Sequence, residues 1–146
     1  MNDIQIGNYV ADCVFCNILK GDIPTIKVYE DDYTMAFLDI RPTQPGHTLV
    51  IPKDHFENIY TLPAETACRM MMTVQKVSLA LKQATNADGI NIIMNNEAAA
   101  GQVIFHAHIH LIPRHNDDGL RHWDHKEYSN PQEANDIAEK IKAEMV

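Results

Sequence analysis

An α+β fold is what this sequence predicts: a mainly antiparallel sheet with one long helix packed on it and short helices near each end. Three observations predict it. Short apolar runs recur along the chain and are joined mostly by tight turns. One long segment, Pro63 to about Thr85, places Ala67, Met70, Met71, Val74, Val77 and Leu81 on one helical face. Finally, His106, His108 and His110 alternate strictly with apolar neighbours through Phe105–Arg114, which is the period of a β-strand.

The elements follow in order. Asp12 is expected to cap a short helix carrying Cys13, Phe15, Cys16, Ile18 and Leu19, stopped by Gly21. Lys27–Glu30 and Thr34–Leu38 read as strands joined at Asp31-Asp32. Asp39–Gly46 is a turn-rich crossover leading into a buried strand, His47–Pro52. After the long helix, Ile90–Asn95 reads as a strand and Glu97–Gly101 as a small-residue loop. The histidine strand follows, with Val103, Phe105, Ala107, Ile109 and Leu111 expected on its buried face and the three imidazoles on the other. Near the end, Asn130-Pro131-Gln132-Glu133 reads as a capping box for a terminal helix whose apolar stripe is Ile137, Ile141 and Met145.

Residues 1–146 are expected to form one domain, with 1–11 a loosely ordered lead and 116–146 a C-terminal segment that ends in a helix. The composition, 45% hydrophobic and 22% charged, is that of an ordinary globular protein. A net charge of −8 argues against a nucleic-acid polymer as partner but not against a small phosphate ester. No apolar stretch is long enough to span a bilayer, and Met1–Ala11 has neither the basic patch nor the apolar run of a secretory signal. The three cysteines are too few for a disulfide framework. No membrane association and a reducing, cytoplasmic setting are therefore expected.

Imidazole titrates near neutrality and serves as nucleophile, proton carrier or metal ligand, so three on one strand mark a reaction centre or a metal site. Cys13 and Cys16 form a C-x-x-C pair with three readings: a redox dithiol, structural thiols, or half of a zinc site. The residues leave these choices open.

The run Gln102–Ile112 fits the pattern H-x-H-x-H followed by two apolar residues, and it resembles the histidine triad (HIT) family of nucleotide hydrolases and transferases. The likeness extends over residues 13–115, through Phe15, Ile23-Pro24, Tyr29-Glu30-Asp31, Ala36–Ile40, Gly46–Lys53 and Asn96-Glu97, and is similar to the branch of small nucleoside-phosphoramidate hydrolases. The resemblance implies a HIT-like fold and a homodimer formed partly by the long helix, where Met70-Met71-Met72 lies. It implies His108 as a nucleophile toward an α-phosphate, with a backbone carbonyl near His106 setting its tautomer, and His110 and His47 as donors to the phosphate or leaving-group oxygens. It further implies Asn96, Gly101, Gln102 and Val103 as the phosphate cradle, with valine standing where relatives often carry serine. Asp39 is implied to bind the ribose hydroxyls, and Phe15, Ile23, Phe37 and Ile40 to wall a base, a purine by analogy. Some relatives bind structural zinc through two cysteines and two histidines, which implies Cys13, Cys16, His55 and His106 here.

The implied activity is hydrolysis of nucleoside 5′-phosphoramidates or related nucleotide conjugates through a nucleotidyl-histidine. Other classes are the same site acting on dinucleoside polyphosphates or as a nucleotidyl transferase, a non-enzymatic nucleotide-binding module, and a metallohydrolase. The last lacks a carboxylate between Glu97 and Asp117.

Overall fold

In the computed structural model, which describes residues 8–145, five strands form one sheet in the order β1-β2-β3-β5-β4, and every neighbouring pair is antiparallel. The strands are β1 (Lys27–Glu30), β2 (Thr34–Leu38), β3 (Thr48–Pro52), β4 (Gly89–Ile93) and β5 (Ile109–Arg114). The helices are α1 (Val14–Lys20), α2 (Ala64–Thr85) and α3 (Pro131–Glu144), with a short 3₁₀ turn at Ala98–Ala100. The α+β architecture is therefore the one the sequence predicts.

Both faces of the sheet centre are covered, so β2 and β3 are buried along almost their whole length and apolar after their first threonines. On one face Ala36, Val50, Ile109 and Leu111 meet Met70, Val74, Val77 and Leu81 of α2. On the other, Met35, Phe37, Leu49 and Ile51 meet Phe15, Ile18 and Leu19 of α1. Alternation puts His110 on this second face, between Ile109 and Leu111, and that is how the fold aims it towards α1 rather than α2.

Local differences from the expectation have physical causes. Cys13, not Asp12, caps α1: its Sγ accepts from the Cys16 amide, and Gly21 closes the helix in the left-handed region. In the lead, residues 1–7 lie outside the described residues. Asn8–Ala11 are tied down: the His55 amide donates to the Asn8 carbonyl, Cys13 N to Val10, and Asn17 Nδ2 to Ala11. Asn130 caps α3, accepting from Glu133 N, and none of the α3 residues is buried.

The histidine strand is shorter than predicted. β5 begins only at Ile109, because pairing with β3 ends at Val50↔Ile109 and pairing with β4 at Ile93↔His110. Without a ladder partner on either side, residues 102–108 leave the sheet. Val103 and Phe105, expected to be buried, are 74% and 47% exposed, whereas His106 is fully buried.

Candidate active site

Four histidines converge on the α1 side of the sheet, and their hydrogen bonds fix which ring nitrogen of each carries a proton. The Thr43 amide donates to His47 Nδ1 at 3.0 Å, so that nitrogen is an acceptor and the His47 proton sits on Nε2. His47 Nε2–H then donates to His110 Nδ1 at 2.9 Å, which leaves the His110 proton on its own Nε2. His108 Nδ1–H donates to the His106 carbonyl at 2.6 Å, so its Nε2 keeps a free lone pair. His106 Nε2–H donates to the Pro52 carbonyl at 2.9 Å, an acceptor left over because β3 has no β5 partner at its end. Its Nδ1 lone pair therefore faces the cysteines. Phe15 packs edge-on against both the His106 and His108 rings, with centroids 5.8 and 5.2 Å away.

Burial keeps these rings neutral. His47 and His108 titrate below the ordinary imidazole value, and His110 is pushed down to about 4 by burial and by its histidine neighbours. His106 is likewise held to about 4, chiefly by burial, and His55 is lowered for the same reason. The unfolded chain protonates these rings near pH 6.5 while the folded one resists. Stability is thus fully present above pH 6.5 and is lost as pH falls from there towards 4. Equilibrium unfolding is expected to lose on the order of 2 kcal/mol between pH 7 and pH 5, and a flat profile across that window would contradict it.

His108 and His110 open into a cleft of about 280 Å³ lined also by Phe15, Asp39, Ile40, Arg41, Leu49, Asn95, Gly101, Val103 and Ile104. Asp39 does two jobs. Its Oδ1 accepts from the Arg41 amide at 2.8 Å as a turn cap, while Oδ2 stays on the cleft side, 3.8 Å from His47 Nε2. Gly101 has φ +92, and a Cβ built there would meet the Asn95 amide at 3.6 Å, so backbone and amide stand side by side at the cleft floor.

Several sequence-implied residues are placed elsewhere. The side-chain amide of Gln102 is spent on structure: Oε1 accepts from Glu97 N, and Nε2 donates to the carbonyls of Glu57 and Ile104. Asn96 does not line the cleft, and its Oδ1 accepts from the Ile59 amide; the lining asparagine is Asn95. Phe37 is buried in the core behind Phe15, at 5.5 Å between centroids, and Ile23 packs against that same cluster. His47 is not a direct donor towards the cleft, because its single N–H is taken by His110. The residues missed from sequence are Asn95, Arg41, Leu49 and Ile104. Asn95 was within reach, since only a one-residue register choice separates it from Asn96.

Behind the cleft, one donor atom from each of Cys13, Cys16, His55 and His106 lies within 4.8 Å of the others. His106 Nδ1 is 3.5 and 3.7 Å from the Cys13 and Cys16 sulfurs, and His55 Nδ1 is 3.4 Å from Cys16 Sγ. Tetrahedral zinc with Zn–S near 2.3 Å and Zn–N near 2.1 Å sets ligand edges at about 3.5 Å, so the donor set and its spacing fit that ion.

The HIT-domain sequence profile matches residues 20–117. Over 109 residues the chain is 47% identical to adenylylsulfatase HINT3 of Arabidopsis thaliana, covering 75% of this chain and 55% of that protein, so it spans little more than half of the plant relative. It is 41% identical over 106 residues to adenosine 5′-monophosphoramidase hnt1 of Schizosaccharomyces pombe, covering 73% and 77%. Among solved structures, SMU.412c of Streptococcus mutans superposes with a TM-score of 0.90 at 44% identity, covering 96% of this chain and 89% of that one. A Zn-bound histidine triad family protein from Mycobacterium smegmatis gives 0.72 at 39% identity, covering 91% and 98%.

Proposed function

This chain belongs to the HIT family, and on that premise we propose that it hydrolyses nucleoside 5′-phosphoramidates or related nucleotide conjugates at the α-phosphate, through a covalent intermediate on His108. The observation that carries the reading is the free Nε2 of His108, opened to the cleft while its other nitrogen is locked on the His106 carbonyl. A neutral imidazole so oriented attacks without a separate deprotonation.

In the first step a bond forms between His108 Nε2 and phosphorus as the bond to the leaving group breaks; His110 Nε2–H donates a hydrogen bond to the leaving atom, which takes up its proton from solvent. In the second, water attacks the phosphorus, the N–P bond breaks, His108 is regenerated as the neutral imidazole, and the water proton is released to solvent. A nucleoside monophosphate and the free leaving group result. The Gly101 backbone and the Asn95 amide hold the non-bridging oxygens. Phe15 and Ile40 receive the base, a purine by family analogy. Mass spectrometry of protein quenched with adenosine 5′-phosphoramidate is expected to show a nucleotidyl adduct confined to His108. An adduct elsewhere, or steady turnover with none trapped, counts against the reading.

The free oxygen of Asp39 is assigned to the ribose hydroxyls. Asp39→Asn is expected to raise KM about tenfold for ribonucleotides, the worth of one hydrogen bond to a charged acceptor, and to change it little for the 2′,3′-dideoxy analogue. Equal effects on both sugars would remove Asp39 from that role.

Zinc is assigned to the Cys13, Cys16, His55 and His106 cluster, where it would brace the segment behind the nucleophile. Elemental analysis is expected to find about one zinc per chain, and Cys16→Ser to lose it. A second copy of the chain is assigned to the uncharged edge strand β4 and the adjoining α2 face, where Met71, Met72, Leu79 and Ile92 are exposed.

A further inference from the structure

One charged side chain in the cleft has no part in the steps above. Among the described residues Arg41 is the only one lining the cleft with a fixed positive charge; Asp39 is negative, and the whole chain carries −8. In such a field a single cation decides where a second anion can sit. The Arg41 guanidinium takes part in none of the ion pairs found among the described residues.

Its backbone, by contrast, is latched on both sides. The Arg41 amide donates to Asp39 Oδ1 at 2.8 Å, and two residues on the Thr43 amide donates to His47 Nδ1 at 3.0 Å. Asp39 Oδ2 lies 3.8 Å from His47 Nε2, and His47 in turn holds His110. Pro42 between the latches fixes its own φ. Arg41 therefore rides on a turn anchored to the His47–His110 side of the cleft, where the one N–H still open to a departing group is found.

We infer that Arg41 is a specificity-determining residue that favours nucleotide conjugates whose α-phosphate bears an anionic leaving group, a sulfate or phosphate, over those that release a neutral amine. The inference rests on the nucleotide-hydrolase reading above. A planar guanidinium suits tetrahedral oxyanions and forms paired, charge-assisted hydrogen bonds with them. A neutral amine offers it nothing comparable.

The test is a ratio: kcat/KM for adenosine 5′-phosphosulfate divided by kcat/KM for adenosine 5′-phosphoramidate. The ratio is expected to fall about tenfold in Arg41→Ala and Arg41→Gln, the worth of one charge-assisted hydrogen bond. Arg41→Lys, which keeps the charge, is expected to stay within about threefold of the wild type, and the wild-type ratio to decline as salt is raised. A ratio within about twofold of wild type in the neutral variants overturns the inference, as does a lysine variant that behaves like glutamine. If the wild type turns over neither compound, the hydrolase reading fails separately, and calorimetric affinities for ADP and AMP decide the matter. Loss of Arg41 must then lower the ADP preference about tenfold, and an unaltered preference overturns it.

Discussion

Replacement of His108 by alanine is expected to cut kcat/KM for adenosine 5′-phosphoramidate by at least about 10⁴-fold, the scale on which removal of a covalent nucleophile acts. The size follows from the absence of a substitute. His106 has one nitrogen on the Pro52 carbonyl and the other towards the cysteines, His47 spends its N–H on His110, and His110 accepts from His47 on its Nδ1. Among the described residues no other imidazole offers an unprotonated nitrogen to the cleft. The ring removed is 6% exposed and packs on Phe15, so its loss also leaves a small cavity beside α1. Thermal melts of the variant separate that structural loss from the chemical one. His108→Gly should recover part of its activity with added imidazole, which enters the same cavity. A His108→Ala protein within about tenfold of wild type would end the proposal.

The second large effect is on stability. Gly46→Ala is expected to destabilise the fold by about 3 kcal/mol, roughly 10 °C in Tm for a domain of this size. Two penalties add. Gly46 sits at φ +94, where an L side chain is strained by about 1–2 kcal/mol. A Cβ there would also stand 3.0 Å from Thr85 Cγ2, 3.1 Å from Leu81 Cδ1 and 3.3 Å from Pro113 Cγ, wedged between the end of α2 and β5. Gly21→Ala is the control, because its φ of +84 imposes the same strain with nothing within 4 Å of the new methyl. Chemical denaturation should rank Gly46→Ala well below Gly21→Ala. Equal losses would show that packing at Gly46 is unimportant.

Much of this was legible in the sequence, for reasons that differ by element. Thr34–Leu38 is read correctly because it is a short apolar run closed by turn residues, too short for a helix, and the long helix because its apolar stripe recurs at helical spacing from Met70 to Leu81. The row of histidines stood out by its alternation. That alternation misled on one point: a period of two in sequence says nothing about whether partner strands extend far enough to pair with it. β4 stops at Ile93, β3 runs on to Pro52 but pairs there only with β2, and His106 and His108 lie outside the ladder. Gln102 and Asn96 went wrong for another reason. An amide side chain has up to four hydrogen-bonding positions, and only tertiary structure shows which are already taken. Arg41 was hidden because an exposed arginine in a turn looks like any solvated charge until a cleft is found beside it.

His106 belongs to two systems at once: its imidazole joins the cysteine cluster, and its carbonyl holds the proton of His108. Any rotation of residue 106 that follows oxidation or alkylation of the two thiols drags that carbonyl with it. The His108 ring is then free to flip its proton to the wrong nitrogen while the sheet and helices stay intact. Damage at the sulfurs should therefore silence the enzyme well before it melts it, with the inactive protein still passing for native by its circular dichroism.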